Sequence, residues 1–357
     1  MSEGSERMPD EGRTTPRPSS APTLEDVARA AGVSRQTVSN ALSAPERVRP
    51  ETRERVMRFV AELGYQPNRL AQAFRVKSSG MVAYRIKPLA SHALASFHDR
   101  FLHALSEAGQ AAGRQVLLFT AADVREEVET CSRLHRSGAV DAVVIYDVED
   151  DDLRPGALLT LDVPFVAFGR TRDGADRYTW VDVDNAAGMA RAVEQLAGLD
   201  HRRIGFVGLP PGHTIGDRRA DGWRAAMRRH ALEADLILQG PDSVSASVDM
   251  TSALLGRNEP PTAIVAATDT LAVGALRASG QVGLRAGIDL AVIGFDDSPT
   301  ATALELSSVR QPVEEVAQTV MARLLSAGTQ PPSGSTKVPW LMARTSSAYG
   351  PGRRPRQ

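Results

Sequence analysis

Apolar residues recur along this chain in two different rhythms. Between Thr23 and Leu63 they fall at helical spacing. Leu24, Val27 and Ala28 share one face of a helix that ends before Gly32, and Val38 and Leu42 lie four apart on a second helix. Val56, Phe59, Val60 and Leu63 follow the i, i+3, i+4, i+7 pattern of a third, which starts near Glu51. Thr23-Leu-Glu-Asp26 is a capping-box pattern, Ser34 is placed to cap the second helix, and Gly64 with Pro67 stops the third. From Gly80 onward the rhythm changes to short continuous apolar runs, each followed by a helical stretch. They are Met81–Ile86, Val116–Phe119, Ala142–Tyr146, Phe165–Phe168, Ile204–Val207, Leu236–Leu238, Ile264–Ala267 and Leu290–Phe295. Such runs are strands of parallel sheets covered on both faces, and eight of them predict two α/β subdomains rather than one sheet. Ligands in such sheets bind beyond the carboxyl ends of strands, which singles out the residues after Phe168, Val207, Ala267 and Phe295.

The expected organisation is therefore a tail over 1–22, a helical head over 23–66, a linker with one short helix over 67–79, a two-part α/β body over 80–348 and a tail over 349–357. Residues 1–22 are polar and aperiodic and lack the apolar core of a signal peptide, so a cytoplasmic protein is expected. No apolar run approaches the ~20 residues needed to span a bilayer, and no membrane partner is expected. The single cysteine, Cys131, excludes an internal disulfide and a cysteine-based zinc site. Charge adds one contrast. The formal net charge is −1. Residues 21–79 nevertheless hold ten Lys/Arg against six Asp/Glu, so a basic head sits on an acidic body.

Two short helices joined through Gly32-Val33, the second opening at Ser34, follow the helix-turn-helix plan. The second helix of that plan enters the major groove with its N-terminal residues at the base edges. At 100° per residue Gln36 and Asn40 share a face with Arg35 beside them, and all three can hydrogen-bond bases. Ser34, Thr37 and Ser39, with Thr23 at the head of the first helix, carry short hydroxyls suited to phosphate contacts. Asn68 is placed to cap a short helix with Leu70, Ala71 and Phe74 on one face. Eight residues do not hold a helix alone, so a second chain or DNA is the expected partner, and an apolar side chain there suits a minor-groove wedge.

In the body, an Arg and an Asp facing each other across a cleft can bind a polyol. Arg219 is the expected donor and Asp296 the expected acceptor, with Trp223 or Phe295 available to stack on a sugar ring. Arg170, just beyond a strand end, faces the same cleft by position, and Thr268 is a further candidate. Asp269 and Asp297 are expected to cap helices, and the acidic run from Asp147 to Asp152 to be a solvated loop. No phosphate-binding loop, nucleophile elbow, zinc-protease or dinucleotide motif occurs. Neither an enzyme nor a cofactor or metal is expected.

Thr23-Leu-Glu-Asp-Val-Ala…Ala-Gly-Val-Ser…Thr-Val-Ser…Leu-Gly-Tyr-Gln-Pro-Asn resembles the DNA-binding head of the lactose repressor/galactose repressor family. The likeness runs on through Val181-Asp-Val-Asp-Asn185, Arg219-Ala-Asp-Gly222, Ala267-Thr-Asp269, Ile293-Gly-Phe-Asp-Asp297 and Val309-Arg-Gln-Pro312. The resemblance implies an all-α helix-turn-helix head with a hinge helix, then a Rossmann-like body similar to periplasmic sugar-binding proteins. It implies base reading by Arg35, Gln36 and Asn40, a hinge helix over Asn68 to Phe74 including Ala71, and a homodimer on a pseudo-palindromic operator in double-stranded DNA. It further implies a repressor whose operator affinity is set by a small-molecule effector, a sugar or sugar derivative. Three positions depart from the family pattern: Asn40 where Arg is usual, Phe74 where a wedge Leu is usual, and Thr268 where sugar-responsive relatives carry Asn. A sugar-binding or sugar-modifying protein with an incidental head, an activator, and a regulator with a purine-type corepressor stay open at this point. No leucine heptads follow Ala348, so a dimer rather than a tetramer is expected.

Overall fold

The computed structural model describes residues 22–66, 78–86, 96–173, 175–326 and 331–351. The expectations for Asn68, Ala71, Phe74 and the hinge helix lie outside these residues. The chain divides before Ser78 into two compact units.

The first unit is three helices, α1 (Leu24–Ala31), α2 (Arg35–Ser43) and α3 (Pro50–Leu63), with a 3₁₀ turn at Pro45–Arg47. The capping box forms at α1: the Thr23 side chain accepts from the Asp26 amide and the Asp26 carboxylate accepts from the Thr23 amide. Gly32 and Gly64 end α1 and α3 at φ 62° each, in the left-handed region where a side chain is penalised. Val27, Ala28, Ala31, Val38, Ala41, Val56 and Tyr65 make the core, with Leu24, Leu42, Phe59 and Val60 packed at its edge. Leu63, expected on the inner face, is 38% exposed.

The second unit contains two six-stranded sheets. Sheet one runs β11 (Gly334–Lys337), β5 (Trp180–Val183), β4 (Phe165–Gly169), β3 (Ala142–Val148), β1 (Met81–Arg85), β2 (Gln115–Phe119), all parallel. Sheet two runs β12 (Trp340–Met342), β10 (Ser307–Arg310), β9 (Ala291–Phe295), β8 (Ala263–Ala266), β6 (Ile204–Gly208), β7 (Ile237–Gln239). It is parallel except for the β10–β12 pair. Successive residues of a central strand feed opposite cores: Val144 and Tyr146 pack with α4 (Ser96–Ala111) and α12 (Val313–Leu325), while Val143 and Ile145 pack with α5 (Val124–Arg136). That two-sided burial is why these strands read as continuous apolar runs. The core of sheet two is completed by α7 (Asn185–Gly198), α8 (Thr214–Arg229), α9 (Val244–Leu255) and α10 (Asp269–Gln281).

The chain crosses between the sheets three times, at β5 to α7, β10 to α12 and β11 to β12, so each lobe is assembled from separated stretches. Four strands were not among the expected runs: β5, β10, β11 and β12 have polar or short sequences at sheet edges or crossovers. Two residues of the expected tail make contacts. Tyr349 carbonyl accepts from His201 Nε2, and Gly350 packs on the Leu199 carbonyl. No described helix is long and apolar enough to cross a membrane.

Candidate functional site

Two surfaces carry the expected chemistry, one on each unit. On the head, Ser34 caps α2 by accepting from the Thr37 amide at 3.1 Å, which aims the first turn of α2 outward. Arg35 and Gln36 are exposed on that turn and Asn40 is half-buried one turn on. Gln36 Nε2 donates to Asn40 Oδ1 at 2.9 Å, so two of the three expected base readers form one oriented pair. The hydroxyls divide differently from expectation. Ser34 and Thr37 bond to each other at 2.8 Å at the helix mouth. The Thr23 hydroxyl donates to Asp26 at 2.7 Å within the capping box. Ser39 is a correction: it is only 6% exposed, on the side of α2 turned to the core, and a phosphate cannot reach it as it could Ser34.

The second surface is the cleft between the lobes of the body. Carboxyl ends of both sheets face it, as bonds between the lobes show. Asp150 N–H donates to Thr214 Oγ1 and Thr214 N–H donates to Glu149 Oε2, both at 2.8 Å. Arg100 of α4 donates to the Asp296 carbonyl at 3.0 Å, beyond the end of β9. The cleft floor is built around Arg219, which is buried on α8. Its Nε donates to Asn185 Oδ1 at 2.8 Å, Nη1 to the Ala267 carbonyl at 2.5 Å and Nη2 to Asp296 Oδ1 at 3.4 Å. The guanidinium carbon lies 3.7 Å from the centre of the Phe295 ring, a close cation–π contact. Asp296 is held at φ 109°, a conformation unusual for a side-chain-bearing residue, and also accepts from Gln311 Nε2 at 2.6 Å. Burial raises the Asp296 carboxyl above the ordinary range against the pull of Arg219, and burial lowers Arg219.

Arg219 and Asp296 are thus brought together. Arg170 is not part of that floor. It stands at the cleft edge, 3.4 Å from Asp182 and over the Trp180 ring. Thr268 reaches the floor but also serves as N-cap of α10, accepting from the Leu271 amide and donating to Asp242 Oδ1 at 2.6 Å. Trp223 is a correction: one turn along α8 from Arg219, it is fully buried in the core of sheet two against Phe206 and cannot stack on a ligand. Asp269 and Asp297 do not cap helices; Thr268 and Ser298 do. Asp269 instead ties the segments beyond β8 and β9 to β10, accepting from Ser298 N–H and the Ser308 hydroxyl.

Sequence reasoning missed a charge ladder across the cleft mouth. Arg218 of α8 donates to Asp182 at 2.9 Å, to Asp150 at 2.9 Å and to the Arg170 carbonyl at 3.0 Å. Each carboxylate also holds an arginine of its own lobe, Arg170 on Asp182 and Arg172 on Asp150. The acidic run expected to be a solvated loop is therefore part of a lobe-to-lobe contact. The signal in the sequence was the strand-end position of Asp147 to Asp150, which periodicity places but does not pair. Asp147, Glu149 and His213 offer ligand atoms within 4.8 Å of one another. His213 Nδ1 accepts from the Gly216 amide, which turns the proton-bearing Nε2 toward Glu149.

Comparison with known proteins places both units. Residues 23–68 match the family of bacterial regulatory proteins of the lacI type, and residues 193–347 match a periplasmic binding protein-like domain. The chain is 33% identical to the HTH-type transcriptional regulator AglR of Rhizobium meliloti (strain 1021), over 93% of this chain and 96% of that protein. Among solved structures it is similar to a transcriptional regulator CelR–cellobiose complex, with 31% identity, a TM-score of 0.68, and 91% and 99% of the two chains covered. It is also similar to the lac repressor dimer bound to operator and the anti-inducer ONPF, with 26% identity, a TM-score of 0.73, and 91% and 98% covered. The chain belongs to the lacI family of bacterial regulatory proteins: it is a DNA-binding transcriptional regulator and not an enzyme.

Proposed function

We propose that this regulator is a cytoplasmic homodimeric repressor that binds a pseudo-palindromic operator and whose affinity for it is set by a sugar or sugar derivative in the cleft. The reading divides the chain as the sequence does, into a head at 23–66, a hinge at 67–79 and an effector body at 80–348. The observation that carries it is the Arg219–Asp296 pair, buried on a Phe295 face at the floor of a cleft between two lobes. A donor, an acceptor and a flanking ring suit a hydroxylated ligand, and a ligand touching both lobes acts on their relative populations. On the head, the Gln36–Asn40 bond leaves Gln36 Oε1 and Asn40 Nδ2 outside it, an acceptor and a donor that match an adenine edge. Asn40 thus supports adenine contact where the family's usual Arg would take guanine. Arg35, Ser34 and Thr37 flank this pair, and Arg170 and Thr268 border the cleft.

A thermal-shift scan with sugars, oligosaccharides, sugar phosphates and purines tests the cleft. A ligand at 100 times its Kd stabilises by about 2.7 kcal/mol. Arg219→Ala should lose the response while operator binding persists. A variant that still responds normally removes Arg219 from the site.

A further inference from the structure

The cleft floor gathers three carboxyls, Asp242, Asp269 and Asp296, around one arginine. Arg219 is in contact with Asp296 and within electrostatic reach of Asp242 and Asp269. Asp269 is satisfied by the donors from Ser298 and Ser308. Asp242 is different. It follows the carboxyl end of β7, on the same edge of sheet two as Thr268, and its Oδ1 accepts from the Thr268 hydroxyl at 2.6 Å. Among the described residues no arginine or lysine comes within ion-pair distance of it. His213 is the other basic group whose field reaches it. Burial raises the Asp242 carboxyl, as expected for a carboxylate withdrawn from water without a cation in contact.

We propose that Asp242, held by Thr268 beside the Arg219–Asp296 pair, is a specificity-determining residue that selects an amine-bearing effector, an amino sugar, and rejects phosphorylated sugars. This rests on the sugar reading above and narrows it. A neutral hydroxyl can donate to Asp242, but only a cation offsets the charge of a carboxylate that no described arginine or lysine contacts. A phosphate group carries up to two negative charges at pH 7 and would meet the Asp242 carboxylate, which no described arginine or lysine contacts. Like charges brought together in a desolvated site weaken binding strongly. Thr268 acquires a reason here as well: its hydroxyl orients the carboxylate that meets the ligand.

The test is titration calorimetry on the full chain at pH 6.5, where the amines are protonated. The probes are glucose, glucosamine and glucose 6-phosphate, the galactose series, and cellobiose beside its diamino counterpart. The amine of at least one series should bind at least about tenfold tighter than its hydroxyl partner, and the 6-phosphates at least about a hundredfold weaker. Asp242→Asn should bring the amine-to-hydroxyl ratio to about one, with a melting curve to confirm folding. Equal binding of amine and hydroxyl by the unsubstituted protein needs no variant and overturns the proposal. So does tight binding of a 6-phosphate, or a preference that survives Asp242→Asn. Neutral sugars that bind without amine preference sink only this inference, whereas failure of every sugar sinks the sugar reading with it.

Discussion

Replacing Arg218 by alanine should open the cleft without unfolding either lobe. Arg218 makes three lobe-crossing contacts, at 2.9 Å to Asp182, 2.9 Å to Asp150 and 3.0 Å to the Arg170 carbonyl. Buried charge-assisted bonds contribute about 1.5–3 kcal/mol each. The Arg218 side chain is 25% exposed and Asp150 27%, so water and salt reduce their joint effect to about 1–3 kcal/mol. Truncating one partner of a buried pair ordinarily costs more, about 3–5 kcal/mol, because the other charge is stranded. Here Asp182 keeps Arg170 and Asp150 keeps Arg172, so no charge is stranded in the open state. The loss therefore falls on the closed state alone and should shift the open-to-closed ratio by about 5- to 150-fold. Leu153, on the sheet-one lobe, is 76% exposed, and Val282, at the end of α10, is 57% exposed; cysteines placed there report the interlobe distance by spin-label spectroscopy. The native protein should open as salt rises, and Arg218→Ala should be open at low salt and insensitive to it. An unchanged distance distribution, or the same salt response in both proteins, would refute the argument that the ladder holds the lobes.

Other consequences are local. Gly222 on α8 has no room for a side chain: a methyl there would lie 2.5 Å from Ala186 Cα of α7, a backbone atom that cannot yield. Gly222→Ala should cost about 1–3 kcal/mol in denaturant unfolding, and an unchanged midpoint would show that the α7–α8 approach is looser. Cys131 is fully buried and its thiol is pushed up to about 12 by burial, so alkylation at pH 8 should await unfolding, with the labelling midpoint matching that of unfolding. Labelling of the native protein within minutes would mean that the α5 side of sheet one opens locally. Finally, Asp296 titrates above its ordinary range when folded, so the native state binds the extra proton and its ionisation weakens folding as pH rises from 5 to 8. Asparagine mimics the protonated form. Whatever its offset, the stability of Asp296→Asn relative to the native protein should therefore rise with pH over that window. A flat or falling difference would mean that Arg219 holds the carboxylate ionised throughout.

How far the sequence disclosed this molecule depended on which physical constraint dominated locally. Central strands such as Ala142–Val148 and Ala291–Phe295 are buried on both faces, and their unbroken apolar runs are unmistakable. Gly334–Lys337 and Ser307–Arg310 answer to sheet edge and lobe crossing instead, and no periodicity marks them. The same divide runs through the cleft. Asp296 lies just beyond the end of β9, where ligands bind in such sheets, and the structure joins it to Arg219 in the second turn of α8. Trp223 has the right chemistry, but one turn along α8 from Arg219 it packs on Phe206 inside the core of sheet two, which residue type does not decide. Asp242 went unnoticed although the rule that drew attention to Thr268 applies equally beyond β7. Arg218 and its carboxylates are separated by 36 and 68 residues, and only the folded lobes pair them.

The central claim is that a ligand in the body controls DNA binding by the head. Its most direct test takes a duplex selected from random sequence by the full chain and measures the dissociation constant with and without the sugar that most raises the melting temperature. A change of at least about tenfold is predicted, a coupling of about 1.4 kcal/mol, abolished in Arg219→Ala. Equal affinity at saturating sugar would contradict the account, since a cleft that binds without altering operator affinity is not a sensor.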